Sequence, residues 1–136
     1  MNNLDLYEHA EKQGIMIDKT NLKNNKALSV KIGRDEYIGI DFDVADNSAE
    51  ERTLLAHEIG HCMTGTFYDV NASETDRRKA ERKAAKWSVT HCVPKSDLIR
   101  MICRGYSRDE IAELFGVSEE LIEQAYTFYF DYGIAS

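Results

Sequence analysis

Residues 54–65 read LLAHEIGHCMTG and contain two histidines, His57 and His61, with Glu58 beside the first. On an α-helix, residues four positions apart lie one turn above each other, so both imidazoles can point at one place. Glu58 lies about 100° around the helix from His57, close to that place. Two neutral imidazoles can hold a zinc ion while a neighbouring carboxylate takes a proton from water. The stretch therefore predicts half of a zinc site.

The flanking residues predict where this helix begins and what precedes it. Ser48 and Glu51 have the Ser-x-x-Glu spacing of a capping box, so we expect a helix from there to Gly65. Near the start of the chain, residues 4–12 place apolar side chains at helical spacing, and Gly14 supplies a stop. A short amphipathic helix is expected there.

The run ALSVKIGRDEYIGIDFDV, at residues 27–44, alternates apolar and polar side chains around Gly33 and predicts a β-hairpin. The face expected to be buried against helices consists of Leu28, Val30, Ile32, Ile38, Ile40 and Phe42. We also expect the strand at residues 37–43 to have a free edge, along which a substrate segment can add as another strand.

A catalytic zinc ion generally has three protein ligands and one position open to water, so a third ligand is required. Glu81 is favoured, because the side chains on its helix face at the next turns are small and permit close approach of the two helices. These small residues are Ala84, Ala85 and Ser88. Three other side chains compete for the position: Asp69, Asp76 and His91.

The second half of the chain predicts further helices. One runs from Glu74 to just before Pro94, and three shorter ones occupy residues 96–104, 107–115 and 118–129, each opened by a serine. The last two resemble a helix-turn-helix, with Gly116 at the turn. From Ser107 to the end, however, one arginine faces seven acidic residues. Phosphate contacts dominate DNA affinity, so we expect a packing or protein-docking element and no nucleic-acid partner.

Composition limits the remaining possibilities. With 136 residues and 43% apolar content, we expect a single domain, 1–136, with its core at about 1–95 and a helical element at about 96–136. The net charge of −7 disfavours nucleic acid and anionic membranes. Three cysteines without a CxxC pair favour buried thiols in a reducing compartment. No stretch has the pattern of a signal peptide or membrane span, so a cytoplasmic location is predicted.

Three motifs make the chain resemble a known family: ERTLLAHEIGH at 51–61, ERKAAKWSVTHCVP at 81–94 and LFGVSEE at 114–120. They resemble the ImmA/IrrE family of zinc metallopeptidases, and the likeness covers most of the chain. In that family the second helix reads like E-x-x-A-N-x-F-A-x-x-L-L-M-P, and its glutamate is the third zinc ligand. Glu81 matches that glutamate, and the alanine, aromatic, small and proline positions are matched by Ala84, Trp87, Ser88 and Pro94.

The resemblance implies an α+β, zincin-like domain, mostly helical with a short antiparallel hairpin and helix-turn-helix-like helices at the end. It implies a zinc-dependent endopeptidase with His57, His61 and Glu81 as metal ligands and Glu58 as general base. The expected substrate is a helix-turn-helix repressor of a mobile element or stress response. An oxyanion-stabilising group is required, and the candidates are Tyr68, His91 and Tyr106.

One departure from the family pattern weakens this reading. Relatives often have Asn or Asp four residues after the glutamate, where this chain has Ala85. The change can remove a hydrogen bond to a ligating histidine, and such partners typically matter about ten- to a hundredfold in metal affinity or activity. The alternative is therefore a non-catalytic regulatory module that keeps the fold and docks a partner protein.

Overall fold

The computed structural model describes residues 1–46 and 48–130, which form an α+β fold of helices and one small sheet. The elements, in chain order, are α1 (Asn3–Lys12), β1 (Ile15–Thr20), β2 (Ala27–Ile32), β3 (Asp35–Asp41), α2 (Ala49–Thr64), α3 (Glu74–Cys92), α4 (Lys95–Cys103), α5 (Arg108–Phe115) and α6 (Glu119–Phe130). The predicted class and the predicted helices are confirmed, with small shifts at their ends.

The sheet contains the predicted hairpin and one strand that the sequence analysis missed. β2 pairs with β3 in antiparallel register around Gly33, whose φ of 63° is the left-handed value that glycine adopts readily. β1 was not predicted, and it pairs with β3 in parallel on the opposite side. The strand order is therefore β1-β3-β2. The predicted free edge at residues 37–43 is wrong, because β3 is the central strand and β2 lies at the edge.

The register also corrects the predicted buried face. Ile38 and Ile40 are buried as expected, but their partners on β2 are Ser29 and Ala27. Directly opposed residues share one face of a sheet. The alternate residues of β2 lie on the other face of the sheet, and Phe42 lies beyond the end of β3: Val30 is 40% exposed, Ile32 66% and Phe42 56%, while Leu28 is half-buried.

α2 begins after Ser48 and ends at Gly65 as predicted, but the capping box is only half formed, because the Ser48 N–H donates to Asp46 Oδ1 at 3.1 Å. The Ser48 hydroxyl accepts the Glu51 N–H at 3.1 Å, and Gly65 ends the helix with φ 66°. The Glu51 carboxylate is buried and accepts hydrogen bonds from Asn3 Nδ2 at 2.6 Å and from the Tyr7 hydroxyl at 3.0 Å. These bonds fix α1 against the start of α2.

Two predictions about the second half need correction. Ser96 does not cap α4, because the helix already begins at Lys95. The N-cap residue is Pro94, and no side chain accepts a hydrogen bond from the first turn. Proline fits the start of a helix, where its missing N–H is not needed. Of the three free cysteines, Cys62 and Cys92 are buried but Cys103 is exposed.

The helix-turn-helix-like element packs on the rest of the protein. Its apolar residues Ile111, Val117, Ile122 and Ala125 are buried and Phe115 is half-buried. The Arg52 guanidinium donates to the Phe115 carbonyl at 2.7 Å, and the Ser118 N–H donates to the Thr53 hydroxyl at 3.0 Å. Both bonds attach this element to α2. Within the described ranges, no helix combines the length and apolarity required to cross a membrane.

Close packing of α2 on α3 depends on Gly60, the glycine inside the HEIGH motif. A Cβ atom at this position would lie 2.6 Å from the backbone oxygen of Ala84. We expect Gly60→Ala to lower the free energy of unfolding by about 1–3 kcal/mol. The contact is with a backbone oxygen of α3, which cannot change its rotamer as a side chain can. This loss should exceed the gain of up to about 1 kcal/mol that alanine brings to a helix interior.

Urea denaturation would measure this effect, and Gly39→Ala is the matched control. A Cβ at Gly39 would meet only leucine side-chain atoms, the nearest at 3.5 Å, which is ordinary contact. If the two variants unfold at the same urea concentration as the unmodified chain, the close approach of α2 and α3 is not limited by Gly60.

Candidate metal centre

Three side chains from α2 and α3 converge on one point. His57 and His61 lie on one face of α2 with ring centroids 4.8 Å apart. Glu81, on α3, places Oε2 2.6 Å from Nε2 of His57 and Oε1 3.2 Å from Nε2 of His61. The potential ligand atoms of the three residues all lie within 4.8 Å of one another. Such convergence of two imidazoles and a carboxylate suits a metal ion.

The loop after α2 fixes the orientation of His61. Its Nδ1 lies 2.9 Å from the backbone carbonyl oxygen of Thr66 and 3.1 Å from the threonine hydroxyl. A carbonyl can only accept, so Nδ1 is the donor, and the neutral form of the ring offers the lone pair of Nε2 to the cluster. The left-handed conformation of Gly65 returns the chain to make this contact. A hydrogen bond of this kind is what holds metal-ligating histidines in place.

Glu81 is held as an anion. Burial raises the pKa of its carboxyl, but hydrogen bonds from Tyr68 and His57 and the nearby imidazoles outweigh burial, and the net pKa is below the ordinary value. The Tyr68 hydroxyl donates to Oε1 at 2.7 Å. That bond to Glu81, together with burial, raises the pKa of Tyr68, which therefore keeps its proton. The carboxylate is available to a cation.

A cavity of about 320 Å³ opens onto the cluster. Glu58 lines it together with the three convergent residues, so the carboxylate that the sequence placed next to His57 faces the same space. The opposite wall comes from edge strand β2, through residues 27–29, and from the loop at 66–68. A bound molecule in this cavity can therefore contact the cluster, Glu58 and a strand edge together.

The structure does not bring the competing side chains to the cluster. Asp69 and Asp76 line a neighbouring cavity and are exposed. His91 stacks on Trp87 with ring centroids 3.9 Å apart, and its Nδ1 contacts the Trp87 carbonyl at 2.8 Å. Among residues 1–46 and 48–130, the one cluster of at least three such ligands is His57, His61 and Glu81.

Of the three candidates for oxyanion stabilisation, one lines the cavity beside the cluster and two do not. Tyr68 lines the cavity beside the cluster and lies 6.2 Å, centroid to centroid, from His61. His91 belongs to the aromatic stack described above, and Tyr106 follows α4 without lining the cavity. Tyr68 is therefore the candidate that the structure places at the site.

Comparison with known families agrees with this geometry. Residues 10–127 match the model of the peptidase M78 family, described as the IrrE N-terminal-like domain. The chain belongs to this family. The match includes α2, α3 and most of α6, and thus every residue of the cluster. No similar protein was found among curated proteins.

The structure shows which histidine would be affected by Ala85, the position at which this chain departs from the pattern of the IrrE N-terminal-like family. Ala85 is 6% exposed and lies one turn after Glu81 on α3. His61 donates its outer hydrogen bond to the Thr66 carbonyl, so its orientation does not depend on residue 85. For His57, no hydrogen bond to Nδ1 is found within the described ranges. Any weakening caused by Ala85 is expected at His57.

Proposed function

We propose that this protein is a zinc-dependent endopeptidase. The observation that carries the proposal is the convergence of His57, His61 and Glu81 within 4.8 Å, beside a cavity that Glu58 also lines. Two imidazoles and one carboxylate form a ligand set that zinc favours, with a further position for water or substrate. When bound, zinc lowers the pKa of a coordinated water to about 7 and polarises carbonyl oxygens.

The protein's own groups would do the remaining work. Glu58 would accept a proton from water at the site and pass it to the departing amine. A substrate segment would lie along the free edge of β2, because residues 27–29 form one wall of the cavity. Backbone hydrogen bonds to this strand would hold the peptide extended across the cluster. This role replaces the one first expected for the strand at 37–43.

The proposed substrate is a helix-turn-helix repressor that controls a mobile element or a stress response, in the cytoplasm. Family membership supports a peptidase, and the resemblance of the motifs supports this substrate class. The acidic α5–α6 element supports a protein partner over DNA, since a duplex would meet like charge.

Measuring bound metal and cleavage together would test the proposal. We expect one zinc per purified chain, cleavage of a co-expressed candidate repressor, and loss of cleavage on chelation that added zinc restores. A chain that takes up no zinc and leaves every candidate intact would overturn it.

The alternative is a regulatory module that docks a partner without cutting it. It is favoured by Ala85 and by the absence, among the described residues, of a hydrogen bond to Nδ1 of His57. In that case the same co-expression would give a stable complex with an intact partner, and the complex would survive chelation.

Tyr68 is proposed to stabilise the oxyanion that forms on the substrate carbonyl, its O–H turning to that oxygen from Glu81 Oε1, to which it donates in the structure. At saturating zinc, we expect Tyr68→Phe to lower kcat about a hundredfold, which is typical for loss of one such donor. Steady-state kinetics on a cleaved peptide would measure this. Tyr106→Phe is the matched control, since Tyr106 is similarly exposed, 40% against 44%, but lies outside the cavity. Equal kcat values for the two variants would exclude the role.

A further inference from the structure

A second cavity, of about 260 Å³, lies on another side of the cluster and is also lined by His57 and Glu81. Its remaining walls come from α2, the end of α3 and the start of α6. One water molecule needs only about 15 Å³, so this space accepts a whole side chain. Because both cavities share His57 and Glu81, a peptide held at the cluster would lie next to both.

The lining of this second cavity combines two leucines, Leu54 and Leu121, with several polar groups and negative charge. Ser88 is 1% exposed and donates its hydroxyl to the Ala84 carbonyl at 3.1 Å, so its oxygen can still accept a hydrogen bond. Glu120 and Gln124 lie one turn apart on α6 and both line the cavity. No lysine or arginine lines it, and among the described residues no cation lies within ion-pair distance of Glu120.

We propose that this cavity is a substrate subsite that selects a basic side chain, arginine or lysine, next to the scissile bond. The inference rests on the proposed peptidase function, whose site it extends. The Glu120 carboxylate would pair with the cation, and the oxygens of Gln124 and Ser88 would accept its remaining N–H groups. The selecting residues thus come largely from α6, within the helix-turn-helix-like element.

Helix position alone does not explain Glu120. Acidic side chains in the first turn are stabilised by the helix dipole, and this applies equally to its neighbour Glu119. Glu119, however, does not line the cavity. Glu119→Gln and Glu120→Gln therefore remove the same charge from the same turn, and only the second changes the proposed subsite.

Ligand binding followed by NMR tests the subsite without requiring cleavage. The probes are N-acetyl-arginine amide and N-acetyl-citrulline amide, which have nearly the same shape but differ in charge. On the zinc-loaded full chain, we expect the arginine probe to bind about three- to tenfold tighter and to shift the amide signals of Ser118, Glu120 and Gln124. Glu120→Gln should abolish the difference between the probes, and Glu119→Gln should retain it.

Three results would overturn the proposal: no binding of the arginine probe, equal binding of both probes, or the same response from both glutamate variants. The outcome is separable from that of the proposed function. A chain that cleaves no peptide but shows the charge-dependent binding keeps the subsite and loses the peptidase. A chain that cleaves but binds both probes equally keeps the peptidase and loses the subsite.

Discussion

Glu58→Gln is expected to keep its zinc and to lose about a thousandfold in kcat. Glutamine preserves the shape of the side chain but cannot accept a proton, and general acid–base groups typically contribute 10²- to 10⁴-fold. Glu58 is not among the three residues whose ligand atoms converge, so its amide should leave zinc affinity unchanged. Zinc content by mass spectrometry and single-turnover cleavage of a peptide would measure the two effects separately.

The control for this variant is Glu50→Gln, which removes an exposed carboxylate from the first turn of the same helix. Glu50 forms a surface ion pair with Lys26 at 3.2 Å, which is worth little. The Glu50→Gln variant should cleave the peptide at the same rate as the unmodified protein. A Glu58→Gln chain that keeps zinc and cuts as well as the unmodified protein would show that the proposed general base is wrong.

Local patterns predicted the part of the site that lies on one helix. The spacing of His57 and His61 fixes their common face, and the cap at Ser48 and the glycine at 65 fix the helix ends. Glu81 was predicted because the neighbouring side chains on its helix face are small. The structure confirms that this face approaches α2 closely at Ala84. These features depend on residues within a few turns of one another.

Features that depend on pairing between distant segments were not predicted. β1 has six residues, and its position beside β3 is set by tertiary contacts, so the sequence did not distinguish it from a loop. The register of β2 against β3 placed Ala27 and Ser29 on the buried face, against the apolar pattern. The contact of Thr66 with His61 depends on the loop after α2 turning back at Gly65. A glycine at the helix end was the available signal for that turn.

Glu81→Ala is expected to abolish high-affinity zinc binding. It removes the one convergent ligand that α3 contributes, leaving two imidazoles on α2. Loss of an outer-shell partner already costs about ten- to a hundredfold, so loss of a ligand should exceed a hundredfold. At a zinc concentration of 1,000 times Kd, binding stabilises the native state by about 4 kcal/mol, which corresponds to a rise in Tm of roughly 15 °C. This rise should be absent in Glu81→Ala.

Thermal unfolding with and without zinc measures this linkage, and Glu74→Ala is the matched control. Glu74 is an exposed glutamate of the same helix whose ion pair with Arg78 is almost fully solvated. Its zinc-dependent rise in Tm should equal that of the unmodified chain. If Glu81→Ala keeps the full rise, the third ligand lies elsewhere, and Asp69→Ala and Asp76→Ala would then identify it by losing the rise. Because zinc would join α2 to α3, the stabilisation in the unmodified chain should disappear on chelation and return on adding zinc.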